Sequence, residues 1–206
     1  MKVIKIEEDY FASNTYLVVN GNNAIIIDAG AELSNIKNRL REENNPKVNA
    51  VFLTHSHYDH ILKLDDYLAE FECFAYIMKD GEKKLYNSEF NLSKYFGEEV
   101  VLKSSNIKLL KDYEKLNLGT ITVEVISTPG HSVDSCCYLI DNLLFTGDLV
   151  FNGSIGRTDF PTSNIYEMEK SLNKIKSLPR FEKYFPGHDE EFDYENLLNT
   201  LNFYLF

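Results

Sequence analysis

At 206 residues, with 44% hydrophobic and 26% charged residues, the chain has the composition of a folded globular protein, which excludes a disordered one. A formal net charge of −11 opposes attraction to a phosphate backbone and argues against a nucleic-acid partner. No apolar run approaches the roughly 20 residues of a spanning helix, so no membrane partner is expected.

Short β-branched runs predict strands at 3–6, 16–19, 24–28 and 50–54, and later at 121–126, 137–140 and 143–146. Gly21-Asn22-Asn23 and Asp141-Asn142 mark hairpin turns. The runs at 24–27 and 50–53 are continuously apolar, which predicts strands covered on both faces. Residues 78–99 are polar and charged and read as helical excursions from the sheet. Asn164 is a candidate cap for a helix with Ile165, Met168, Leu172 and Ile175 on its apolar face, stopped by Pro179. A last helix places Tyr194, Leu197, Leu198, Leu201 and Leu205 on one face, as a helix docking on the core would. With no repeat and no linker-like stretch, residues 1–206 are expected to form one domain, of α+β class with two sheets flanked by helices. The N-terminus turns acidic before a signal-peptide stretch can form. The three cysteines cannot all pair, which predicts reduced thiols and a cytoplasmic location.

The chain holds five histidines, and three of them lie in Thr54-His55-Ser56-His57-Tyr58-Asp59-His60, just after a predicted strand. In H-x-H-x-D-H the first two histidines, two apart on an extended strand end, point the same way. The turn into a helix start then aims Asp59 and His60 at a nearby point, so one segment can serve two adjacent metal ions. His131 follows Thr128-Pro129-Gly130, Asp148 follows Phe145-Thr146-Gly147, and His188 follows Phe185-Pro186-Gly187, as loop ligands at strand ends would. Nitrogen and carboxylate donors suit zinc first, with iron or manganese as alternatives. Asp28, after an early strand, is a candidate for orienting a ligand histidine, or simply a turn residue.

These motifs, in this order, resemble those of the metallo-β-lactamase-fold hydrolases, and most closely the short glyoxalase II-like (hydroxyacylglutathione hydrolase-like) members. Asp28 with Gly30, His55/His57/Asp59/His60, Pro129-Gly130-His131, Gly147-Asp148 and Pro186-Gly187-His188 carry the resemblance, over residues 13–190. It implies an αβ/βα four-layer sandwich, two mixed sheets flanked by helices, with the site at one edge. It also implies two divalent ions: His55, His57 and His131 would hold one, Asp59, His60 and His188 the other, and Asp148 would bridge. Asp59 would in addition orient a metal-bound hydroxide. One departure is Ile61-Leu62-Lys63, where the family has a glycine just after the second-site histidine, which bears on the following helix start.

Paired ions that share a hydroxide and polarise a carbonyl suit attack on an acyl carbon. A thiolate leaves with little help, since thiol pKa values lie near 8.5. The run Gly156-Arg157-Thr158-Asp159-Phe160-Pro161 resembles both glyoxalase II-like thioesterases and persulfide dioxygenases. Arg157 sits where a cation near the glutathione carboxylate is implied, with an Arg157–Asp159 ion pair as its other role. Only 18 residues follow His188, so a separate C-terminal glutathione-binding domain is not expected and the thiol half stays open. The expected activity is hydrolysis of a small 2-hydroxyacyl thioester. A mononuclear iron persulfide dioxygenase is the alternative.

Overall fold

Alternation along the strands sets out the layers. The computed structural model describes residues 1–7, 12–97 and 99–205, which leaves Glu8 and Asp9 of the acidic N-terminus and Glu98 of the polar stretch outside the description. The first sheet contains β1 (Lys2–Ile6), β2 (Thr15–Asn20), β3 (Asn23–Ile27), β4 (Lys47–Phe52), β5 (Phe74–Met78) and β6 (Ile107–Leu110), in that spatial order. The pairs β1–β2 and β2–β3 are antiparallel, and those from β3 to β6 are parallel. The second sheet contains β7 (Lys115–Leu118), β8 (Ile121–Ser127), β9 (Cys136–Ile140), β10 (Leu143–Gly147) and β11 (Lys183–Pro186). It is antiparallel except for the parallel pair of β10 with the edge strand β11.

On β2 and β3, Tyr16, Val18, Ile25 and Ile27 face the second sheet, where they meet Val123, Tyr138 and Phe145. Their neighbours Leu17, Val19 and Ile26 face the other way, against α1 (Leu33–Glu42) and α2 (Leu64–Phe71), through Ile36, Leu40, Leu64 and Leu68. Beyond the second sheet, Ile126, Cys137 and Leu144 pack on α4 (Ile165–Lys176) and α5 (Tyr194–Tyr204). Period-two alternation thus gives helix, sheet, sheet, helix, the four layers expected. Each fully buried isoleucine contributes roughly 1.5–3 kcal/mol of transfer free energy relative to an exposed one. The continuously apolar strands β3 and β4 are covered on both faces, as predicted.

Both predicted hairpins form, as β2–β3 and β9–β10. The Asn164 side chain caps α4, its Oδ1 accepting from the Tyr166 and Glu167 N–H groups at 2.9 and 3.2 Å. On α4 one assignment needs correction. Ile165, in the first turn, is 52% exposed, and Ser171 takes a buried place instead, donating to the Pro129 carbonyl at 2.6 Å. The polar stretch after β5 forms short 3-10 turns at Lys79–Gly81 and Ser93–Tyr95 around α3 (Glu82–Leu85). Among the described residues no helix is long and apolar enough to cross a membrane. Cys73, Cys136 and Cys137 are unpaired and buried, and burial pushes the Cys73 and Cys137 thiols up to about 11 and 12.

The parallel pairs β3–β4 and β10–β11 bring four strand C-termini to one edge, where the sheets are tied together. Tyr138 Oη donates to the Leu53 carbonyl at 2.5 Å, and Tyr16 Oη to the Pro186 carbonyl at 2.6 Å. The Asn14 N–H donates to the Gly187 carbonyl at 2.7 Å. Every candidate ligand lies just beyond this edge.

Candidate metal centre

The strand β4 ends at Phe52, and the chain then carries His55 and, in extended conformation, His57 before a 3-10 turn at Tyr58–His60. The Asp59 carbonyl accepts from Ser13 Oγ at 3.1 Å, which ties this turn to the start of β2. His55 Nε2 lies 3.0 Å from His57 Nδ1, which lies 2.9 Å from His131 Nε2. Four-coordinate zinc with bonds of about 2.0–2.1 Å spaces its nitrogens about 3.3 Å apart, so these three fit one ion after small adjustment. His131 presents Nε2 because its Nδ1–H donates to the Arg157 carbonyl at 2.9 Å, which fixes the tautomer. Burial and the neighbouring imidazoles hold His55 and His57 well below the usual histidine range. Burial also lowers His131, against the pull of Asp148. Neutral rings keep the lone pairs that a cation needs.

A second group forms beside the first. His188 Nε2 lies 3.1 Å from Asp59 Oδ2, and His60 Nε2 lies 3.6 Å from the same oxygen. Asp148 reaches toward both groups: Oδ1 is 3.3 Å from His60 Nε2, while Oδ2 is 3.4 Å from His131 Nε2 and 3.6 Å from His188 Nε2. Among the described residues the donor sets His55/His57/His131, His55/His60/Asp148 and Asp59/His60/His188 each have ligand atoms within 4.8 Å of one another. All seven residues singled out from the sequence therefore meet at one place.

Asp28 has the positioning geometry anticipated for it. Its Oδ2 accepts from His60 Nδ1 at 2.9 Å and from Thr54 Oγ1 at 2.8 Å, and its Oδ1 accepts from the Thr54 N–H at 2.8 Å. For His60, burial works against the charged form, but Asp28, Asp59 and Asp148 outweigh it and raise the pKa well above the usual value. Asp28 accepts a hydrogen bond from Nδ1–H on one side of the ring and so turns Nε2 toward the second donor group. There His60 Nε2 and Asp148 Oδ1 are buried without any hydrogen-bond partner. Orphaned buried polar atoms are costly, and a bound cation is what their placement suits.

Two glycines let the backbone approach this carboxylate. A Cβ at Gly187 would lie 2.1 Å from Asp148 Oδ1 and 2.7 Å from His60 Cε1, and one at Gly156 would lie 1.8 Å from the Asp148 carbonyl oxygen. Their sequence signal was the Pro-Gly-His and Gly-Arg pattern, but the reason is contact with Asp148. Gly187→Ala is expected to push the Asp148 side chain aside and lower metal affinity by roughly 10–100-fold, as loss of groups that orient ligands does. Competition with a chromophoric chelator would measure it, and unchanged affinity would refute this role for Gly187.

Above the donor groups opens a cleft of about 350 Å³ lined by Tyr58, Leu92, Phe96, Phe151, Ile155 and Phe160 besides the polar residues. Arg157 also lines it. Its Nε and Nη2 donate to Asp159 Oδ1 and Oδ2 at 2.9 and 2.8 Å, so the loop-locking ion pair is formed. At the helix start after His60, Ile61 is buried in place of glycine, and α2 begins at Leu64.

The comparisons agree with this geometry. The chain matches the Metallo-beta-lactamase superfamily over residues 9–188. It is 32% identical over 197 residues to a probable metallo-hydrolase of Streptococcus pyogenes, covering 91% of this chain and 84% of that one. It is 29% identical to a probable polyketide biosynthesis zinc-dependent hydrolase of Bacillus subtilis, covering 90% and 76%. A crystal structure of the B3 metallo-beta-lactamase BLEG-1 superposes with a TM-score of 0.90 at 28% identity, covering 98% of this chain and 99% of that one. With its fold, its donor groups and its relatives in agreement, the chain belongs to the metallo-beta-lactamase superfamily of metal-dependent hydrolases.

Proposed function

We propose that the protein is a dinuclear hydrolase of acyl thioesters, of the glyoxalase II type. His55, His57 and His131 would hold one divalent ion and Asp59, His60 and His188 the other, with Asp148 serving both. The observation that carries this reading is the position of Asp148, whose Oδ1 lies near His60 of one donor group while Oδ2 lies between His131 of the other and His188. When bound, such a pair of ions supplies an activated water as nucleophile and polarises the carbonyl it attacks. Asp59 lines the cleft, and its carboxylate would orient that water. Asp28 and the Arg157 carbonyl keep His60 and His131 turned toward the centre.

The leaving group follows from the acids available. All five histidines are in the donor sets or serve as ligands, and none is left to protonate it. The Tyr58 phenol, pushed up to about 12 by burial and the Asp59 charge, is a weak acid at neutral pH. A thiolate needs no such help, whereas an amine expelled from an amide does. Thioesters are therefore favoured over β-lactams.

The test is elemental analysis of protein purified without added metal, followed by assay of S-lactoylglutathione, simple acyl thioesters and a penicillin. Two ions per chain and thioester cleavage, with little penicillin hydrolysis, are expected. One iron per chain with oxygen uptake on a glutathione persulfide would replace this reading with the dioxygenase.

A further inference from the structure

The cleft has a chemical bias that the ligands do not explain. Outside the ligand set, its charged lining is one acid, Asp189, and one cation, Arg157. That cation is already engaged: Asp159 holds it in a two-point pair, and its guanidinium lies over the Phe160 ring at 4.5 Å. Besides Ser154 and Gly156, the rest of the lining is six large side chains, four of them aromatic. Tyr58 and Phe96 stack at 4.9 Å with an interplanar angle of 21°, and Phe96 remains 50% exposed. Phe160 sets its ring edge-on to His57 and His131 at 5.5 and 5.8 Å, and Phe151 lies 6.3 Å from His188. Both donor groups thus have an aromatic ring beside them, and a stacked pair lines the same cleft.

Glutathione brings carboxylates and an ammonium to its thioesters. Here those carboxylates would meet the Asp189 carboxylate and a guanidinium already paired with Asp159. An uncharged substrate with a flat apolar group gains from aromatic walls of this kind without such a cost. Resting on the thioesterase reading, we propose that the preferred substrate is an uncharged thioester with an aromatic acyl group, which Phe96 and Tyr58 select. Glutathione is not its thiol. Phe96 is a specificity residue, and Arg157 acts as a loop-locking residue and not as a carboxylate receptor.

The experiment compares three substrates on the zinc-loaded enzyme: the phenylacetyl and lactoyl thioesters of N-acetylcysteamine, and S-lactoylglutathione. The phenylacetyl thioester is expected to exceed the lactoyl one about tenfold in kcat/KM, mainly through KM, because ring stacking binds ground and transition states alike. Glutathione is expected to give no gain over N-acetylcysteamine for the same acyl group. Phe96→Ala should shrink the phenylacetyl preference about 5–10-fold, and Phe96→Tyr, which keeps the ring, should retain it. Because Phe96 is half exposed, neither variant threatens the fold, and metal content checks that the centre is intact. Preference for S-lactoylglutathione, lost in Arg157→Ala, would overturn this proposal and leave the hydrolase standing. So would cleavage without any phenylacetyl preference. No cleavage of any thioester with zinc, manganese or iron would overturn both readings together.

Discussion

Asp148→Ala is expected to release at least one of the two ions proposed for this centre and to lower turnover by more than the roughly 10–100-fold that loss of an orienting group costs. The reason is placement. Asp148 is the residue whose oxygens approach His60 on one side and His131 and His188 on the other. Alanine offers neither ion a donor, and it leaves two cations facing each other without the intervening negative charge. The chain should still fold, because Asp148 lies beyond the end of β10 and its buried Oδ1 accepts no hydrogen bond. Burial opposes ionisation of this carboxyl, yet His60 and His188 outweigh it and hold the pKa well below the usual carboxylate range. Asp148 therefore remains a carboxylate at neutral pH, as a ligand must. Asp28→Ala provides the comparison. It removes the acceptor of His60 Nδ1 but no ligand atom, so it should weaken metal binding within that 10–100-fold range and leave residual turnover. Elemental analysis and thioester assay of both variants check the ranking. Full metal content and turnover in Asp148→Ala would remove it from the centre.

What the sequence disclosed here depended on how local each signal was. The seven strands read from it were runs whose neighbours in sequence carry the pattern, and all seven formed. The four that escaped it are weaker signals. Phe74–Met78 follows α2 with only Glu72, in left-handed conformation, and Cys73 between, so its apolar run merges with the helix. Ile107–Leu110 and Lys115–Leu118 are short and half exposed, with charged residues, at sheet edges. Lys183–Pro186 ends in proline, which a sheet accepts at its edge. Helices α1 and α2 begin after Glu32 and Lys63 without a side-chain cap, so no start signal marked them. The ligands were legible because H-x-H-x-D-H and the strand-end motifs are each a few residues long. The Tyr58–Phe96 stack joins residues far apart in sequence, and no spacing encodes it. Such walls form only when the excursion after β5 folds back over the site.

Lys84 is the tie that holds this excursion down, and Lys84→Met is expected to cost about 3–5 kcal/mol of stability. The residue lies in the polar, charged stretch 78–99, yet its side chain is 6% exposed and that of Asp134 is fully buried. Lys84 Nζ lies 2.7 Å from Asp134 Oδ1 and also donates to the Ser132 hydroxyl, with Thr162 Oγ1 at 3.3 Å. Ser132 Oγ donates to the same Asp134 oxygen at 2.5 Å. Removing the ammonium leaves Asp134 a buried charge with one hydroxyl for company, and that uncompensated charge is the main cost. At this chain length the loss corresponds to roughly 2–4 °C in Tm per kcal/mol. The double variant Lys84→Met/Asp134→Leu removes both charges, so it should lose less than the sum of the single losses, the signature of a coupled pair. Function should follow, because Ser132 is the residue after His131 and α3 leads into the Leu92 and Phe96 side of the cleft. Urea unfolding of the metal-loaded proteins gives the cycle, and chelator competition gives the metal affinity. If Lys84→Met stays within about 1 kcal/mol of the parent, in the range of exposed ion pairs, the pair is not what anchors the excursion to the metal loop.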